Sequence, residues 1–129
     1  MSENTATSTI EATIDTYLAA YGEADATRRT ALIEDVWAAD GRLVDPPLEG
    51  AGHTGINEMA AAMLNHFAGH TFRRASGIDE HHGLARYGWE LVAPDGSVTL
   101  AGMDVAEFGD DGKLARVAGF FGELPARDA

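Results

Sequence analysis

Two carboxylates stand where a carboxylate is hard to accommodate. Asp104 falls in the middle of Val98–Phe108, a run of apolar and small residues that reads as a β-strand. Aspartate is disfavoured inside a sheet, and burying it as an unpaired charge is costly. It therefore faces water or serves a chemical purpose. Buried among Leu100, Val117 and Phe121, its carboxyl would resist ionisation and keep a proton to donate. Asp45 closes the short segment Arg42–Asp45, just before Pro46–Pro47. There it either satisfies a turn or presents a carboxylate at a strand end.

The five histidines offer less. His66 and His70 have the i, i+4 spacing of a metal pair, but Gly69 interrupts the helix between them and no nearby carboxylate completes a set, so no metal site is expected. His81 and His82 open a strand, so one of them faces each side of the sheet. His82 is the candidate that lines a pocket and could exchange protons near neutral pH. His53, in a Gly-rich turn, is expected to bond to backbone.

The elements that must position these groups follow from periodicity. Ser8 and Glu11 have capping-box spacing. Ile10, Ile14, Tyr17, Leu18 and Tyr21 then recur at helical spacing, predicting a helix from about Thr9 to Tyr21, ended by Gly22. Asp25 or Thr27 can cap a second helix with Leu32, Ile33, Val36 and Trp37 on its apolar face, stopped by Gly41. Thr54 can cap a third, carrying Ile56, Met59, Ala60, Met63, Leu64 and Phe67 inward, ended by Gly69. The period then changes. Thr71–Asp79, His82–Ala93, Val98–Phe108 and Lys113–Phe121 are strand-like, with turn signals at Pro94-Asp95-Gly96 and Asp110-Asp111-Gly112. Three helices followed by a meander of four strands predict an α+β domain with its helices on one face of a mainly antiparallel sheet. The expected domain is 9–124, between short tails 1–8 and 125–129.

Side-chain alternation decides what faces the helices. If Asp104 does, so do Leu100, Gly102, Ala106 and Phe108. Val117, Gly119 and Phe121 form one alternate set, and Tyr87 and Trp89 another. Large aromatics facing small residues can leave a cavity, the usual form of a small-molecule pocket. Trp37, Met63, Phe67, Tyr87, Trp89, Val117, Gly119, Phe121 and His82 are its candidate walls.

Composition narrows the partners. The chain has 129 residues, 45% hydrophobic and 23% charged, and no cysteine. This suits one globular domain, excludes disulfide and thiolate chemistry, and favours a cytoplasmic address. The N-terminus lacks the basic and apolar regions of a secretory signal, and no apolar run is long enough to span a membrane. A net charge of −12 repels phosphate backbones and anionic lipid. Neither nucleic acid nor membrane is an expected partner.

Several segments resemble a known family. Gly102-Met-Asp-Val-Ala-Glu-Phe-Gly-Asp-Asp-Gly-Lys-Leu, followed by Val117-Ala-Gly-Phe-Phe-Gly-Glu, resembles the end of nuclear transport factor 2-like (SnoaL-like) proteins, and among them the Δ5-3-ketosteroid isomerases. Tyr17-Leu-Ala-Ala-Tyr with Asp25 resembles the first-helix motif, Trp37-Ala-Ala-Asp-Gly-Arg-Leu-Val-Asp45-Pro46 the strand that carries the isomerase base, and Gly52-His-Thr-Gly-Ile56 the turn into the third helix. The resemblance runs from about Thr9 to Glu123. It implies a cone-shaped α+β barrel, three N-terminal helices on a curved sheet, around a deep apolar pocket, often dimeric through the outer sheet face. It implies Asp45 as general base, with Asp104 and Tyr17 as donors of an oxyanion hole, as in the ketosteroid isomerase site. A steroid-like or polycyclic ketone would be the ligand, and the chemistry needs no metal or organic cofactor. Two other outcomes stay open: an aldol-closing polyketide cyclase, and a non-catalytic ligand-binding or dimerisation domain.

Overall fold

The computed structural model describes the backbone of residues 2–128 and the side chains of residues 9–128. Helices α1 (Ser2–Tyr21), α2 (Ala26–Val36) and α3 (Gly52–His66) pack on a curved sheet. Its strands are β1 (Trp37–Asp45), β2 (Leu48–Ala51), β3 (Thr71–Arg74), β4 (Asp79–His81), β5 (Leu84–Val92), β6 (Val98–Phe108) and β7 (Leu114–Phe121). The order is β2-β1-β7-β6-β5-β3, with β4 also paired to β5. All pairings are antiparallel except β1 with β7. The sheet is therefore mixed, and it is open rather than a closed barrel. None of the described helices is long and apolar enough to cross a membrane.

Helix starts and stops depart from the sequence signals. α1 begins at Ser2, so Ser8 lies inside it and not at its start. Asp25 does cap α2, accepting the Arg28 N–H at 2.8 Å. α2 then passes directly into β1 at Trp37, well before Gly41. Gly41 instead makes room for an aromatic ring. A Cβ there would stand 2.5 Å from the Trp37 ring, which folds over it at an irregularity in the β1–β7 pairing. α3 starts at Gly52 after Ala51, with no side-chain cap, so Thr54 lies within its first turn. Pro46–Pro47 does end β1, but the chain doubles back as the unanticipated β2.

The core lies between the helices and the inner sheet face. Ile14, Tyr17, Leu18 and Tyr21 of α1 meet Ile33 and Val36 of α2, Ile56 and Met59 of α3, and Leu43, Tyr87, Trp89, Ala106 and Val117 of the sheet. Trp37 and Val117 are fully enclosed in this core. Arg74 clamps α1 to β3: its guanidinium donates to Asp15 and Glu11, each at 2.8 Å, and to the Ser76 carbonyl.

Candidate active site

Cross-strand register brings the acidic groups together. Asp104 lies opposite Tyr87 on β5 and opposite Gly119 on β7. Asp45, at the end of β1, arrives from the far side of β7. A Cβ placed on Gly119 would stand 2.8 Å from Asp45 Oδ1 and 3.1 Å from Asp104 Oδ1. The two oxygens are thus no more than about 6 Å apart, a range in which each charge opposes the other.

Each carboxylate is held by its other oxygen. Tyr21 donates its hydroxyl to Asp45 Oδ2 at 2.9 Å, and Tyr87 donates to Asp104 Oδ2 at 2.9 Å. Asp45 Oδ1 is buried and has no hydrogen-bond partner among the described residues. Such an atom is costly to leave unpaired and is suited to receive a proton or a ligand.

Burial sets the electrostatics. Asp104 is 4% exposed and Asp45 is 9% exposed. Desolvation pushes the Asp104 carboxyl up to about 7; the Tyr87 hydrogen bond opposes this, and the Asp45 charge reinforces it. Asp45 is also raised by burial, against the pull of the Tyr21 hydroxyl. Burial, helped by the carboxylates, raises Tyr17, Tyr21 and Tyr87, so all three keep their protons. Asp104 therefore holds its proton up to about pH 7, well above the range of an ordinary aspartate.

Two spaces meet at Asp45. The outer is a cavity of about 410 Å³. Its walls come from the β1–β2 turn (Asp45, Pro46, Pro47, Leu48), the last turns of α3 (Ala62, Met63, His66, Phe67) and the sheet (Phe72, Trp89, Leu100, Phe121). The inner is a void of about 10 Å³ bounded by Tyr17, Leu18, Tyr21, Asp45, Phe72, Trp89 and Asp104. This is close to the space one water or one carbonyl oxygen needs. Asp45, Phe72 and Trp89 border both spaces, with Phe72 and Trp89 edge to face at 5.6 Å.

Of the residues anticipated from sequence, Asp45, Asp104 and Tyr17 border the inner void, and Met63, Phe67, Trp89 and Phe121 the outer cavity. Tyr87 and Gly119 act on the carboxylates and form no part of the outer wall. Trp37 and Val117 are core residues and line neither space. His82 is a correction. With φ 51° it sits in the β4–β5 turn beside Gly83, exposed, its ring nitrogen 3.1 Å from that of His81. The tight turn lifts it out of the strand alternation that would have aimed it inward. His70 bonds to Ala68 and Thr99, and no group of metal-binding side chains occurs among the described residues. His53 meets the Trp37 carbonyl, a backbone partner as expected.

Sequence reasoning missed Tyr21, Phe72, Leu100 and His66 as site residues. In sequence Tyr21 reads only as part of the apolar stripe of α1, where a hydroxyl leaves no mark on spacing.

No family model matches the chain, and no curated protein matches it. Solved structures do. A 20%-identical NTF2-like protein of unknown function from Exiguobacterium sp. 255-15 superposes with a TM-score of 0.68, covering 87% of this chain and 99% of that one. A candidate polyketide cyclase from Sinorhizobium meliloti, 18% identical, gives 0.61 over 78% and 90%. These two likenesses establish the fold. A candidate isomerase of the SnoaL-like family from Agrobacterium tumefaciens str. C58 gives a TM-score of 0.84 at 35% identity, covering 90% of this chain and 99% of that one. With sequence and fold alike over nearly the whole of both proteins, the chain belongs to the SnoaL-like family.

Proposed function

We propose that this protein is an acid–base enzyme that isomerises an apolar, enolisable ketone. The observation that carries this reading is the buried, unpartnered Oδ1 of Asp45 at the junction of an apolar cavity and a void shared with Asp104 and Tyr17.

In this reading the substrate's ring system fills the outer cavity and its carbonyl oxygen enters the inner void, which has room for one such atom. Asp45 Oδ1 removes the proton next to the carbonyl. The electron pair of the broken C–H bond moves into the carbonyl, and negative charge collects on its oxygen. The protonated Asp104 and the Tyr17 hydroxyl donate to that oxygen in a water-poor site, where such bonds count most. Asp45 then returns the proton at the far end of the conjugated system, which restores the ketone and shifts the double bond.

Conversion of 5-androstene-3,17-dione, followed by the absorbance of the conjugated enone, tests this directly. Asp45→Asn should lower turnover by about 10²–10⁴-fold, the usual worth of a positioned base. Equal turnover in Asp45→Asn and the parent would refute the assignment. The apolar cavity would also suit a cyclase substrate, and aldol closure of a polyphenolic ketone by the same two aspartates is the alternative.

We also propose a homodimer. Met103, Val105, Ala118 and Phe120 alternate with the site residues and so lie on the outer sheet face, where Phe120 is 58% exposed. A second copy would cover this stripe. Sedimentation of Phe120→Glu should give a monomer where the parent gives a dimer.

A further inference from the structure

We propose that His66 is a specificity residue that recognises a second oxygen at the far end of the ligand, so that the substrate is an apolar skeleton with an oxygen function at each end. This rests on the apolar-ketone reading above and adds the substrate's outer half to it.

Ala62, Met63 and His66 stand three and four residues apart and share one face of α3, the face that closes the outer cavity. Among the side chains of that wall, polar atoms occur on Asp45, His66 and Trp89. Trp89 reaches inward, where its ring also bounds the inner void with Asp104. Asp45 is buried at the inner end, whereas His66 is exposed in the last turn of α3 and marks the mouth. The rest of the wall is apolar, Met63, Leu100 and Phe121 among it.

The His66 ring is placed without being used up. It stands edge to face with Phe67, ring centres 4.6 Å apart, and neither nitrogen bonds to another of the described residues. His70, four residues on, spends both of its nitrogens on Ala68 and Thr99. The imidazole at the mouth can donate or accept a hydrogen bond according to tautomer. A hydroxyl, a carbonyl or a carboxylate oxygen on the outer end of the ligand would satisfy it. A purely hydrocarbon end would find no such partner.

The test compares two probes that differ only at that end and whose double bond is already conjugated with the ketone: 4-androstene-3,17-dione and 4-androsten-3-one. Trp89 lines the cavity, so its fluorescence reports binding without turnover. The parent should bind the dione about three- to tenfold more tightly, the worth of one hydrogen bond. His66→Leu should bring the ratio close to one, and His66→Gln, which can still hydrogen-bond, should restore part of it. An equal ratio in parent and His66→Leu would overturn the role of His66 and leave the ketone reading intact. Binding of neither probe would overturn both.

Discussion

The Oδ1 atoms of Asp45 and Asp104 converge on one backbone position, Gly119. Their Oδ2 atoms are each tied to a tyrosine, Tyr21 in the first case and Tyr87 in the second. The two carboxyl groups thus present their outer oxygens to fixed donors and their inner oxygens to a shared space. A glycine keeps that space open.

Gly119→Ala is therefore expected to separate binding from catalysis. Gly119 has ordinary strand backbone, so alanine costs little conformationally. Its methyl would stand 2.8 Å and 3.1 Å from the two Oδ1 atoms, which the tyrosines restrain from moving aside. Overpacking of this kind costs about 1–3 kcal/mol. Turnover of 5-androstene-3,17-dione should fall by at least about a hundredfold, the effect of losing an oxyanion donor. Ligand-induced quenching of tryptophan fluorescence should persist, because the outer cavity does not include Gly119.

Tyr21→Phe removes one hydroxyl and keeps the ring that stacks on Phe72 at 5.0 Å. Asp45 Oδ2 then loses its donor while still buried. The Tyr21 hydrogen bond lowers the Asp45 pKa against the desolvation that raises it, so its loss moves that pKa higher. The acid limb of the pH–rate profile, which reports ionisation of the base, should shift to higher pH. A merely structural tyrosine would lower activity without moving the limb. Chemical denaturation should show a loss of about 1–3 kcal/mol, the cost of leaving a buried acceptor without its donor.

Asp104 fixes the sign of the stability–pH relation. Its folded pKa is about 7, above the ordinary value of 3.8, so between these values the folded chain holds a proton that the unfolded chain releases. Stability from this residue is complete below pH 4 and declines as pH rises toward 7, by on the order of 4 kcal/mol across the interval. Asp45, also raised, acts in the same direction. Melting temperature should fall between pH 5 and pH 8, and Asp104→Asn should flatten the fall. In the same variant turnover should drop by about tenfold or more and lose its decline above pH 7, since the amide cannot ionise.

Why so much of the site is legible in the sequence, and the rest is not, is a matter of what leaves a local signature. Asp104 interrupts an apolar strand, and Asp45 precedes a proline pair; both are local anomalies. Tyr17 and Tyr21 are four residues apart on one helix face, and spacing treats them alike, so the partner of Asp45 emerges only in three dimensions. The parallel pairing of β1 with β7 joins residues far apart in the chain and has no local mark. β2 is only four residues, Leu48–Ala51, too short for its alternation to stand out in the sequence. Gly41 and Thr54 carry genuine helix-end chemistry, but tertiary contacts set the ends elsewhere: Trp37 claims the space at Gly41, and the turn at Gly52, with φ 73°, begins α3 earlier.

Gly102 shows how the cavity is shaped by what fills the space over a small residue. It pairs with Trp89 across β5–β6, and a Cβ added there would stand 2.5 Å from the Trp89 ring as well as against the Phe120 carbonyl. The small residue therefore receives the indole, and the open volume lies beyond it, beside Leu100 and Phe121. Gly102→Ala cannot be absorbed by a side-chain shift alone, because one of the obstructing atoms is backbone. The indole, which packs edge to face on Phe72 and Phe121 and borders both spaces, must leave its place. A loss of about 1–3 kcal/mol is expected in denaturant unfolding. Tryptophan fluorescence should change in the unliganded protein, and steroid affinity should weaken along with turnover. Gly119→Ala should weaken turnover alone. Identical binding and rate profiles in the two glycine variants would contradict the division into an outer cavity and an inner void.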